Sequence, residues 1–134
     1  MKIKNILLAT LLIIIICACQ KTNYKGPELI LANEIHLESI RIHENIETEI
    51  TEKKQKAIIN KDLVRVQKLD SLSAILELWE DGVVEVPGFG HEHQQGEHHE
   101  HKLAVQMTDE SMLEYQKNSK QAIEELQQEI KNKF

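Results

Sequence analysis

The feature that most constrains the fold is a long stretch without helix breakers, in which apolar side chains recur at helical spacing. Residues 28–60 contain neither glycine nor proline. Their apolar positions recur at intervals of four and seven: Leu31, Ile35, Ile42, Ile46, Ile50 and Ala57. This spacing collects apolar groups on one face of an α-helix. It predicts a first helix of about 30 residues, about 45 Å long at 1.5 Å per residue.

Two further helices are predicted downstream. Asn60-Lys61-Asp62 forms the turn, with Asp62 as the N-cap of a second helix that ends at Asp81-Gly82. Thr108 caps a third helix. The apolar face of the second helix comprises Val66, Leu69, Leu72, Leu76, Trp79 and Val83, and that of the third comprises Met112, Tyr115, Ser119, Ala122, Ile123, Leu126 and Ile130.

Three amphipathic segments predict an all-α fold, an antiparallel three-helix bundle. Aromatic residues make up only 4% of the chain, which favours helix over sheet. A single helix over residues 28–80 is the alternative, but its apolar face would stay in water without an oligomer. Between the second and third helices, residues 82–107 form a loop of low order. Its flanks, residues 83–86 and 103–105, have weak strand character that would suit a short hairpin base.

The first residues of the chain have the pattern of an export signal. Lys2 and Lys4 precede an apolar run over residues 6–16. A bilayer-spanning helix needs about 20 apolar residues, so this shorter run is typical of a signal peptide. We expect a signal peptide over residues 1–18, a tether over 19–27 and a helical domain over 28–134.

The segment Ile16-Cys17-Ala18-Cys19 resembles the lipobox of bacterial lipoproteins. The resemblance implies cleavage after Ala18 and acylation of Cys19, which anchors the chain to a membrane. Cysteine is unusual at position 17, but Ile16 is a poor small residue to precede a modified Cys17. No aspartate follows Cys19. By analogy with enteric bacteria, we expect the periplasmic face of the outer membrane rather than the inner membrane.

The helical region resembles a group of small Bacteroidota lipoproteins that often carry the label "viral A-type inclusion protein". Leu76-Glu77-Leu78-Trp79, Tyr115-Gln116-Lys117 and Ile42-His43-Glu44 carry the resemblance. Methionines usually flank the tryptophan in that group, whereas leucine and glutamate stand here. The resemblance implies a helical, membrane-anchored protein and implies no activity.

Five of the seven histidines fall within residues 91–101 of the long loop, which spans about 87–104. They are His91, His93, His98, His99 and His101. Alternate side chains of an extended chain point the same way, so each His-x-His pair can present two imidazoles to one ion. Imidazole ligands suit Zn²⁺, Cu²⁺ or Ni²⁺. The alternative is a solvated, low-complexity tract that binds metal only weakly.

Other features narrow the range of functions. The formal net charge of −6 disfavours binding to nucleic acid or to an anionic lipid surface through charge. No nucleophile stands beside a base and no His-Glu-x-x-His motif occurs, so we predict that the chain is not an enzyme. His36 and His43 are expected to be an ordinary polar flank of the first helix. A helical scaffold is the alternative function, with an unidentified protein partner on an apolar surface around Ile30, Leu37 and Ile40.

Overall fold

Three helices make up most of the structure, a computed structural model that describes residues 25–89 and 106–134. The helices are α1 (Pro27–Ile59), α2 (Leu63–Gly82) and α3 (Asp109–Lys133). No strand occurs in these described residues. The prediction of an all-helical fold with three helices is therefore confirmed.

The ends of the helices follow the local sequence signals. Asp62 Oδ1 accepts a hydrogen bond from Arg65 N at 3.0 Å, as expected of the N-cap of α2. Thr108 Oγ1 accepts one from Ser111 N at 3.2 Å at the start of α3. Lys61, between α1 and α2, has a φ of 57°, which turns the chain sharply after Asn60.

A continuous apolar core runs between the three helices. α1 contributes Ile42, Ile46, Ile50 and Ala57, α2 contributes Leu69, Leu72 and Leu76, and α3 contributes Ile123, Leu126 and Ile130. Every one of these residues belongs to a predicted apolar face. Burial of these faces against one another is the main stabilising contribution to a bundle of this kind.

A second apolar cluster closes the bundle near the start of α1. Val84 and Val86 pack there with Ala32 and Met112. The prediction of a low-order loop is therefore wrong for residues 83–86, where the three valines are buried, and these residues form no strand. Their apolar side chains cover an end of the core that the helices leave open. The flank 103–105 lies outside the described residues.

A turn follows this buried segment. Phe89 N donates to Val86 O at 3.1 Å, and Gly88 has a φ of +77°. Proline followed by a positive-φ glycine is the pattern of a type II turn. The predicted histidine-rich loop begins here, and its residues from 90 onward lie outside the described part.

Two predicted core positions are wrong. Leu31 is 43% exposed, and Ala122 is exposed as well. At the start of α1 the buried face instead passes through Ala32, His36, Ser39 and His43. The reason is that Val84, Val86 and Met112 pack on α1 from one side there, so burial follows their position and not the most apolar face of the helix.

Polar contacts between helices fix which residues lie at the same level of the bundle. Between α1 and α2, Lys54 Nζ lies 2.5 Å from Asp70 Oδ1, and His43 Nε2 lies 3.5 Å from Glu80 Oε2. Between α1 and α3, Lys120 Nζ lies 2.6 Å from Glu38 Oε2. The two lysine pairs are partly exposed, so each contributes little to stability and mainly indicates which residues of neighbouring helices lie side by side.

Candidate functional site

The residues predicted to carry function lie outside the described part of the chain. Cys19, the predicted lipidation site, falls before residue 25. The predicted metal ligands His91, His93, His98, His99 and His101 fall within residues 90–105. What the structure does describe is the region that flanks both segments.

The two flanking regions meet at one end of the bundle. Lys25 Nζ lies 3.5 Å from the centroid of the Phe89 ring, a cation–π contact. Next to it, Gly26 lies so close to α3 that a Cβ on it would be 2.7 Å from Asp109 Oδ2. The residue after the N-terminal segment, the residue before the histidine segment and the first residue of α3 are therefore neighbours.

Just inside this end lies a buried polar network. His36 and Gln116 are 1% and 0% exposed. Gln116 Oε1 lies 3.3 Å from His36 Nδ1, and Gln116 Nε2 donates to Val84 O at 2.8 Å. One glutamine thus joins α1, α3 and the segment after α2. Buried polar groups that are satisfied in this way specify how elements fit together.

The C-terminal end of α2 is held by aromatic side chains. Trp79 Nε1 donates to Ser119 O at 2.9 Å, and its ring stacks on His43 with centroids 5.5 Å apart. Tyr115 OH donates to Gly82 O. Burial raises the pKa of the Tyr115 hydroxyl, because desolvation disfavours the phenolate. These contacts hold the C-terminal end of α2, which precedes the histidine segment, against α1 and α3.

A shallow groove between α1 and α2 brings histidine and carboxylates near each other. His43, Glu47, Glu77 and Glu80 line it. Nevertheless, no group of three or more His, Cys, Asp or Glu side chains in residues 25–89 and 106–134 is arranged to hold a metal ion. His43 contacts Trp79 and Glu80 of α2, and these contacts join α1 to α2.

The prediction that His36 and His43 form an ordinary polar flank is wrong. Both are buried, at 1% and 7% exposure. A sequence signal was present, because Ala32, His36, Ser39 and His43 recur at helical spacing with small or hydrogen-bonding side chains. The Ser39 hydroxyl donates a hydrogen bond to Ile35 O of the same helix at 2.8 Å. This row of residues looks like an exposed polar face in the sequence, and only its contact with Gln116 shows that it is buried.

The turn between α1 and α2 exposes apolar side chains. Ile58, Ile59, Leu63 and Val64 are 56%, 78%, 72% and 63% exposed, and we call these four residues the apolar tip. Four exposed cations stand among and beside them, Lys56, Lys61, Arg65 and Lys68, which we call the basic collar. This surface was not predicted from the sequence, because the negative net charge of the whole chain conceals the local excess of basic residues.

The surface predicted around Ile30, Leu37 and Ile40 is present in part. Ile30 and Leu37 are 45% and 43% exposed, whereas Ile40 is half-buried. Two separated, half-exposed side chains form a smaller apolar surface than the apolar tip.

Comparisons with protein families, with curated proteins and with solved structures found no match for this chain. Among the described helices, none is long and apolar enough to cross a membrane.

Proposed function

We propose that this chain is a lipid-anchored protein of the bacterial envelope, acylated at Cys19 and held on the periplasmic face of the outer membrane. The lipobox at residues 16–19 and the apolar run before it support this proposal. Two or more acyl chains make such an anchor stable. Its role is non-catalytic, and it does not bind nucleic acid.

Metabolic labelling with an alkynyl fatty acid tests the anchor. The full chain expressed in a bacterium should incorporate the label, and Cys19→Ser should abolish incorporation. Cys17→Ser is the matched control and should still be labelled. Label that persists in Cys19→Ser and disappears in Cys17→Ser would show that Cys17 is the acylated residue and would overturn the assignment to Cys19. Separation of inner and outer membranes on a density gradient tests the location.

We infer that the helices run up, down and up. The contacts given above support this order, since residue numbers rise in α1 as they fall in α2 through Lys54–Asp70 and His43–Glu80. Trp79–Ser119 and Tyr115–Gly82 pair α2 with α3 in the same opposed sense. This order is that of an antiparallel bundle in which α1 and α3 are parallel.

The anchored bundle is proposed to collect divalent transition metal through the histidine segment, with Zn²⁺, Cu²⁺ or Ni²⁺ as the candidates. The observation that carries this proposal is the clustering of five histidines within residues 91–101. The contact of Lys25 with Phe89 brings the residue before this segment next to the residue after the anchor region. Metal bound by His91, His93, His98, His99 and His101 would therefore be held near the membrane.

Titration calorimetry of the full chain with Zn²⁺ tests the metal site. We expect micromolar or tighter binding that weakens below about pH 6, as imidazoles become protonated. Replacement of His91, His93, His99 and His101 by alanine should abolish it. The matched control is a variant in which residues 91–101 keep their composition in shuffled order. Equal affinity in that variant would identify a low-complexity tract and overturn a defined site.

A helical scaffold remains the second candidate, favoured by the half-exposed Ile30 and Leu37 on α1. An apolar partner helix would cover them. Cross-linking in the native envelope through a photoreactive side chain at position 37 should then capture a discrete protein partner. The same group at the exposed position 45 is the control. Equal capture at both positions would reject the surface.

A further inference from the structure

The apolar tip has the exposure and chemistry of a docking surface. Its four aliphatic side chains are all more than half exposed, although burial of such side chains is the main driving force of folding. They lie on both sides of a tight turn, where Lys61 reverses the chain. Large exposed apolar side chains that cluster in this way are typical of a surface that binds a protein or a membrane.

The charges around the apolar tip favour a negatively charged binding partner. Residues 53–69 hold six basic side chains and one acidic one, Asp62, in a chain that is acidic as a whole. Lys53 is paired with Glu49 at 3.3 Å and Lys54 with Asp70 at 2.5 Å. Within the described residues, no carboxylate lies within 4 Å of Lys56, Lys61 or Lys68 in an ion pair, so the basic collar keeps its charge available.

The C-terminal end of α3 lies beside the basic collar and adds a further exposed cation. Arg65 Cζ lies 5.8 Å from the centroid of the Phe134 ring. Lys133 is paired with Glu129 at 2.5 Å, while Lys131 is exposed. A second copy of the same surface is a poor occupant, because two basic collars would repel each other.

We propose that the apolar tip inserts into an anionic lipid bilayer, with the basic collar on the lipid headgroups. Exposed aliphatic side chains surrounded by lysine and arginine are suited to the boundary between acyl chains and anionic headgroups. This inference does not depend on Cys19 or on the histidine segment. α1 separates Pro27 from the tip by about 50 Å at 1.5 Å per residue. A chain anchored near Pro27 whose tip touches the same bilayer would therefore lie along its surface.

The experiment reads out the tip alone, so that insertion of other parts of the full chain does not obscure it. Trp79→Phe removes the single tryptophan, and Ile59→Trp then places an indole in the apolar tip. Ile75→Trp is the matched control on the side of α2. Both full-length proteins are added to vesicles of brominated phosphatidylcholine, with or without phosphatidylglycerol, and circular dichroism verifies that each is folded.

We expect quenching of the indole at position 59 in vesicles that contain phosphatidylglycerol, and little quenching at position 75. Lys56→Gln with Lys61→Gln should weaken the association about 30-fold, or about fivefold for each cation removed near an anionic surface. Arg41→Gln with Lys117→Gln removes the same charge elsewhere and should change it less than about twofold.

Three outcomes would overturn the proposal. Equal quenching at positions 59 and 75 would mean that the tip has no privileged contact with lipid. Quenching that is independent of phosphatidylglycerol would remove the role of the basic collar. Self-association in the absence of lipid, measured by light scattering and abolished by Ile58→Ser with Ile59→Ser, would assign the surface to a second copy of the chain. Failure of the anchor would instead appear as loss of fatty-acid labelling with the quenching unchanged.

Discussion

His36 and Gln116, 80 positions apart in the chain, face each other in the interior with 3.3 Å between Nδ1 and Oε1. The amide of the same glutamine reaches Val84 O at 2.8 Å. Burial makes these hydrogen bonds specific, because a partner that is absent or misplaced leaves buried polar groups unsatisfied. The glutamine therefore sets how the segment after α2 fits onto α1 and α3.

Gln116→Leu should destabilise the protein by about 1–3 kcal/mol for each buried polar group that loses its partner. The affected groups are the Val84 carbonyl and the His36 ring nitrogen. Urea denaturation followed by circular dichroism measures the loss. Gln128→Leu, at an exposed position of the same helix, should change the free energy of unfolding by less than about 0.5 kcal/mol. Equal effects of the two substitutions would contradict the role of the network.

Trp79→Phe should cost about 1 kcal/mol of stability, the usual net contribution of one hydrogen bond. The substitution removes the bond from Trp79 Nε1 to Ser119 O at 2.9 Å, and phenylalanine retains an aromatic face for His43. The free energy of unfolding measures it. A loss above about 3 kcal/mol would show that the indole ring contributes mainly by filling space.

Ile46 and Ile59 allow a test of burial with identical chemistry. Ile46 is 0% exposed and Ile59 is 78% exposed, and both belong to α1. Ile46→Ala should lower the free energy of unfolding by about 2–5 kcal/mol, because it removes apolar contacts and leaves a cavity. Ile59→Ala should stay within about 0.5 kcal/mol. A large loss for Ile59→Ala would mean that another surface covers the tip in the free protein.

The ion pair of Glu38 and Lys120 predicts a pH dependence. The hydrogen bond and charge of Lys120 lower the pKa of Glu38, and Glu38 raises the pKa of Lys120. The carboxylate's contribution is present above its unfolded-state pKa and is lost as the pH falls through the lowered value. That of Lys120 is present below its unfolded-state pKa and is lost as the pH rises through the raised value.

Lys120→Gln should therefore raise the pKa of Glu38 toward its usual value, as measured by NMR titration of the side-chain carboxyl carbon. Lys117→Gln, which removes a lysine that lies 4.0 Å from Glu114, should leave the pKa of Glu38 unchanged. An unchanged pKa in the Lys120 variant would show that the contact is not maintained in solution.

Sequence alone predicted the three helices, their caps at Asp62 and Thr108, and the apolar core from Ile42 onward. These features are local, since a cap needs only the next three residues and a helical face follows from a repeat of 3.6 residues. The predicted histidine ligands and Cys19 also come from sequence alone and stay predictions.

The tertiary structure alone decided the burial of His36 and His43 and the covering of the core by Val84 and Val86. The physical reason is that burial depends on partners brought from distant parts of the chain, as Gln116 is brought to His36. The exposure of Ile58 and Ile59 was decided in the same way. These two residues lie at the end of α1, where, among the described residues, no side chain of a neighbouring helix covers them. The local sequence does not indicate where the neighbouring helices end.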